Sequence, residues 1–94
     1  MHLGVLTLYI HLPGSLSLKE KRSRLKPLLA RLHREFNISV AEMDHQDAWQ
    51  ETTIACALIS NDVAFTRRSL GAIPHWLESN WPDIQILEDK IEIL

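Results

Sequence analysis

Between Leu3 and Leu12 apolar side chains recur at every second position. Leu6, Leu8, Ile10 and Leu12 fall on one face of an extended chain, and Val5, Thr7, Tyr9 and His11 on the other. A period of two predicts a strand, and Pro13-Gly14-Ser15 ends it. The period then lengthens. Leu18, Leu25, Leu28, Leu29, Leu32 and Phe36 form one stripe at helical spacing. Ser17 stands at the cap position, and Glu20 three residues on completes a capping box. Pro27 lies well inside this helix, where it removes the bond to the Ser23 carbonyl and predicts a kink.

Residues 38–44 read as a second strand, His45-Gln46-Asp47-Ala48-Trp49 as a polar connection, and residues 51–60 as a third strand. The third strand is apolar or small on both faces, with Ile54, Cys56 and Leu58 opposite Ala55, Ala57 and Ile59. That pattern predicts a central place in a sheet. Ser60-Asn61-Asp62 offers a cap for a second helix, with Phe65, Leu70, Ala72, Ile73, Trp76 and Leu77 as its apolar stripe. Gly71 and Pro74 inside it predict a bent or split helix, and Asn80-Trp81-Pro82-Asp83 terminates it. Residues 84–93 make a last strand, with Ile84, Ile86, Ile91 and Ile93 among acidic residues.

The order is β-α-β-β-α-β. Two split β-α-β units pack as a four-stranded antiparallel sheet with both helices on one face. The predicted fold is therefore α+β and ferredoxin-like, one domain over residues 1–94, with strands one and three central. The sheet's other face then shows Val5, Thr7, Tyr9, Ala55 and Ala57, which is apolar for an exposed surface. A homodimer or another partner covering that face, with Val5, Thr7 and Tyr9 in the interface, is the expectation.

Composition narrows the function. The chain is 46% apolar and 23% charged, as globular domains are. Its net charge is −2, so polyanion binding by bulk electrostatics is excluded and any such role must come from local asymmetry. The single cysteine, Cys56, allows no intrachain disulfide and fits a reducing compartment. In mid-strand it should pack as an inert small hydrophobe. Met1-His2-Leu3-Gly4 lacks the basic start and apolar run of a secretory signal. No apolar stretch approaches the roughly 20 residues of a membrane span, so a cytoplasmic protein without membrane contact is expected.

The local asymmetry is marked. Residues 18–34 hold Lys19, Lys21, Arg22, Arg24, Lys26, Arg31 and Arg34 against only Glu20, whereas residues 78–94 are acidic. Cations at a helix start oppose its dipole by up to about 1 kcal/mol each, and the same place attracts anions. Projected at about 100° per residue, Lys19, Arg22, Lys26 and His33 flank the apolar stripe, with Arg24 and Arg31 on the opposite flank. Lys21 points near the stripe itself and must snorkel past the core edge or meet a carboxylate. The cluster is either a solvated face neutralised by nearby acids, or a phosphate-binding group of Lys19, Lys21, Arg22 and Lys26 for RNA or a ribosomal particle.

A second polar group is Asp44, His45, Gln46 and Asp47 with Trp49 and Gln50. Asp suits a strand-to-strand turn through local backbone bonding. The group also reads as a second contact surface, with Trp49 half-buried as the loop's anchor. Its spacing matches no established metal signature, the five histidines lack ligand spacing, and no metal, cofactor or catalytic residue is assigned.

Leu12-Pro13-Gly14 with Ser17-Leu18-Lys19-Glu20-Lys21-Arg22, then Val40-Ala41-Glu42-Met43-Asp44-His45-Gln46-Asp47 with Trp49-Gln50, then Ser60-Asn61-Asp62, resemble the YlxP-like family of small bacterial proteins. The resemblance covers nearly the whole chain and implies a ferredoxin-like α/β fold. Genes of that family often lie beside those for translation initiation factor two and a ribosome-binding factor, which implies RNA or ribosome contact. The leading expectation is a non-enzymatic module contacting RNA or the translation machinery through the basic helix start. The alternatives are a homo-oligomeric structural or regulatory module using the sheet face, and an enzyme acting on a small anionic substrate. The enzyme needs a pocket joining Lys19 or Lys21 to Asp44 and His45.

Overall fold

The N-terminal alternation forms β1, His2–His11, with Leu6, Leu8 and Ile10 wholly buried on one side and Val5, Thr7, Tyr9 and His11 half-buried on the other. The computed structural model describes all residues from Met1 to Leu94. Next come α1, Leu18–Phe36, β2, Ser39–Asp44, and β3, Glu51–Ser60. The chain continues through α2, Val63–Gly71, and α3, Ile73–Asn80, to β4, Gln85–Ile93. The sheet order is β2-β3-β1-β4 and every neighbouring pair is antiparallel. β1 and β3 are central, as their two-sided apolarity requires. The core lies between the sheet and the helices. Leu6, Leu8, Ile10, Ile54 and Cys56 meet Leu25, Leu28 and Leu32 of α1, Leu70 of α2, and Ile73 and Leu77 of α3. This is the ferredoxin-like α+β arrangement. No helix is long and apolar enough to cross a membrane.

Capping fixes where α1 begins and ends. Ser17 Oγ accepts the Glu20 backbone N–H at 3.0 Å, and Glu20 Oε2 accepts the Leu16 N–H at 3.1 Å. The box closes one residue earlier than its usual form. At the other end Asn37 takes the left-handed conformation (φ 50°), which Asn tolerates better than most residues. His33 Nδ1 donates to the Ile38 carbonyl at 2.5 Å, tying the helix end to the approach to β2. α1 runs through exposed Pro27 as one helix, without a break.

The second helix does split. Pro74 falls in the first turn of α3, where its missing N–H costs little. Asp62 caps α2 by accepting from Ala64 and Phe65 at 2.9 and 3.3 Å. The break resets the helical phase, so the predicted single stripe does not hold. Phe65 is 47% exposed and Ala72 is exposed, while Thr66 and Leu70 face the core from α2. On β4 a register shift opposite Tyr9 and Ile10 leaves Leu87 exposed.

Gly4 lets α2 approach β1. A Cβ there would run into Thr66 Cγ2 and sit 2.8 Å from Leu70 Cδ1. Gly4→Val should therefore lower stability by about 1–3 kcal/mol or more through overpacking. Chemical denaturation monitored by circular dichroism measures this as a lower midpoint with the slope unchanged.

Candidate functional site

The end of the sheet where α1 begins is built around Lys21. Its side chain is 1% exposed, and its ammonium has three donors with three acceptors in reach. They are the carbonyls of His45 at 2.5 Å and Ala48 at 2.8 Å, and Glu42 Oε2 at 2.9 Å. Glu42 Oε2 also accepts the hydroxyl of buried Thr52 at 2.7 Å. Lys21 was expected among the phosphate-binding cations, and its position removes it from that group. It is a strut between α1, β2 and the β2–β3 connection. Sequence reasoning missed Glu42 as its partner, yet a signal existed. Glu42 is in register with Ile54, on the core-facing parity of β2, so each of two adjacent elements turned one charge of opposite sign inward.

The same connection docks on the loop before α1. Gln50 Nε2 donates to the Ser15 carbonyl at 3.0 Å. The Gln50 carbonyl accepts the Leu12 N–H at 2.7 Å and His11 Nδ1 at 3.0 Å. His45 has φ 63°, a left-handed conformation rare for a residue other than Gly. Its carbonyl is held by Lys21 and by the Ala48 N–H at 3.1 Å, and its amide donates to Asp44 Oδ1 at 2.8 Å. These bonds over-determine the strained residue. They also send its ring to the open sheet face, 5.1 Å from the Tyr9 ring, with Nδ1 2.9 Å from Thr53 Oγ1.

The remaining cations divide sharply. Arg24 donates to the carbonyls of Pro13 at 2.8 Å and Asp83 at 3.0 Å, fastening the β1–α1 loop to the α3–β4 turn. The Arg31 guanidinium lies over the Trp76 and Trp81 rings at 5.3 and 5.8 Å, an attraction that stabilises by about 0.5–1 kcal/mol at exposed sites. Lys19, Arg22 and Lys26 are exposed, and no carboxylate lies within ion-pair distance of them. Arg22 and Lys26 rim a cleft of about 440 Å³ whose other lining residues are Ser23, Leu25, Leu29 and, from β2, Glu42.

The second predicted surface lies at the same sheet end. Asp44, Gln46 and Asp47 are exposed and His45 is half-buried. Trp49 is 55% exposed, so the indole is not the anchor expected of it, because Lys21 and Gln50 hold the loop instead. Neither Asp44 nor Asp47 pairs with a cation. The two predicted groups are thus adjacent but share no pocket, since Lys21 reaches the His45 backbone and not its ring. Three or more His, Cys, Asp or Glu side chains nowhere converge as a metal-ligand set.

On the open face no helix covers Val5, Thr7 and Tyr9. Ile59 and Met43 at its margins are exposed, and a cleft of about 280 Å³ is lined by Thr7, Tyr9, Glu88, Lys90 and Glu92. Tyr9 donates its hydroxyl to Glu51 Oε2 at 2.7 Å. That hydrogen bond chiefly, then desolvation and the Glu51 charge, raise the Tyr9 pKa above its usual value. Burial alone pushes the Cys56 thiol up to about 12, which leaves it protonated and unreactive at neutral pH.

Two outcomes test this geometry. Lys21→Met should lower stability by about 3 kcal/mol by leaving Glu42 and two carbonyls without their cation. Lys21→Met with Glu42→Leu should recover part of that loss in urea denaturation, and no recovery would count against the strut. Because Tyr9 is the chain's one tyrosine, its phenolate absorbance can be titrated directly. A folded-state pKa above the unfolded value means stability present below about 10 and lost as pH rises through the folded pKa. Glu51→Ala should lower the Tyr9 pKa toward 10 and weaken that loss.

Residues 3–91 match a family described as "Protein of unknown function (DUF503)". The chain is also 38% identical over 69 residues to a Bacillus subtilis (strain 168) protein named "Uncharacterized protein YlxP". That alignment covers 73% of this chain and 74% of the relative.

Proposed function

The chain belongs to the DUF503 family, and we propose that it is a non-enzymatic binding module contacting RNA, free or in a ribosomal particle, through phosphates. The observation that carries this reading is the set of cations left without partners. Once Lys21, Arg24 and Arg31 are committed to internal contacts, Lys19, Arg22 and Lys26 remain exposed along one side of α1. Arg22 and Lys26 lie about 6 Å apart along the helix axis, a separation that successive phosphates of one strand can meet. Asp44 and Asp47 repel phosphate, which keeps the RNA backbone on α1. Exposed Trp49 and Gln46 beside them supply stacking and hydrogen-bonding groups for a second contact, with His45 behind. A cytoplasmic setting accompanies this reading, and the reduced, buried Cys56 suits it.

Self-association through Val5, Thr7 and Tyr9 is the competing reading. Uncovered Ile59 and Met43 favour it. Against it, Glu51, Glu88 and Glu92 share the open face with only Lys90 to balance them, and a two-fold contact would bring like charges together.

RNA binding measured across a salt series should weaken as salt rises, with a log–log slope near −2 for about three phosphates on a single strand. Lys19→Glu with Arg22→Glu should abolish it. Absence of binding at low salt, or binding indifferent to the double substitution, would overturn the proposal.

A further inference from the structure

Phosphate contact alone needs no cleft, and it needs no apolar floor. The space beside α1 has both. Leu25 and Leu29 form its floor, the stems and charges of Arg22 and Lys26 its rim, and Ser23 lies between them. The one carboxylate that lines it is already neutralised, because Glu42 Oε2 is bonded to Lys21 and Thr52. The cleft therefore has a net positive rim above an apolar surface, and about 440 Å³ is room for a planar heterocycle with its sugar.

We infer that this cleft takes an unstacked base of single-stranded RNA, so that the protein selects unpaired over duplex RNA. The inference rests on the RNA contact proposed above and names the form of RNA that the site accepts. In a duplex the bases are paired and stacked, so their faces are unavailable and only phosphates would reach Arg22 and Lys26. The leucine floor would stay wet. In a single strand a base can swing out and bury its face on Leu25 and Leu29. The planar Arg22 guanidinium is then placed to stack on it, and Lys26, one helical turn away, meets the adjoining phosphate. Apolar or aromatic contact to a base face combined with cations tracking the backbone is the general basis of single-strand recognition.

The experiment compares a short unstructured RNA with the same strand annealed to its complement, by fluorescence anisotropy at one salt concentration. Three proteins are used: the native chain, Leu29→Gln, which makes the floor polar at similar size, and Ser23→Ile, which narrows the cleft from its rim. Circular dichroism confirms that each is folded, and either variant suffices if the other is not. The native chain should bind the single strand about fivefold or more tightly than the duplex. Both variants should lose that preference while binding the duplex as the native chain does. Equal binding of both RNA forms, still abolished by Lys19→Glu with Arg22→Glu, would overturn the inference and leave the RNA contact standing. Binding to neither form would overturn both. If poly-glutamate displaced the RNA and bound in a Leu29-dependent way, while the two RNA forms bound alike, the cleft would belong to an acidic protein partner and the inference would fail.

Discussion

The ammonium of Lys21 holds three pieces of the structure in one place. It lies in the first turn of α1, where the helix dipole opposes it by up to about 1 kcal/mol. Hydrogen bonds involving a charged group each contribute about 1.5–3 kcal/mol net, and Lys21 makes three of them, to His45, Ala48 and Glu42. The local penalty is small beside that sum. Through these bonds α1 is fastened to β2 and to the connection leading into β3. The connection in turn holds His45 in its left-handed conformation and delivers the imidazole to Tyr9. Glu42, spent on Lys21, cannot neutralise Arg22 or Lys26 across the cleft.

That last consequence links stability to the proposed function. A run of basic residues is ambiguous because a cation can be structural, solvated or ligand-binding. Here packing sorts them by position on the helix. Lys21 faces the sheet, and Arg24 and Arg31 face the chain that returns from α3, where carbonyls and two indole rings receive them. Lys19, Arg22 and Lys26 face outward, on the side of edge strand β2, where no later segment covers them. The surface available to a polyanion is thus smaller than the sequence cluster, and it is more sharply defined.

Much of the fold was legible because it rests on short periodicities. The alternation in β1, the two-sided apolarity of β3 and the Ser17–Glu20 cap each depend on neighbours a few residues away. The family motifs pointed to the same architecture. The second helix was read less well. Gly71 and Pro74 announced a split, but the phase change across it could not be counted through. Phe65 was assigned inward on a single stripe when Thr66 and Leu70 hold that face. Trp49 was assigned an anchoring role by its size, whereas the loop is held by polar bonds from Lys21 and Gln50.

The sequence by itself determined the element order, the central strands, the core face and the existence of a charge anomaly at the start of α1. These follow from local pattern, since a side chain's face is set by its place in a strand or helix. Tertiary structure alone decided which charges cancel. Lys21 and Glu42 are 21 residues apart, and Arg24 and Asp83 are 59 apart. Electrostatic pairing depends on distance in space, and that distance exists only once the sheet has brought the two ends of the chain beside α1.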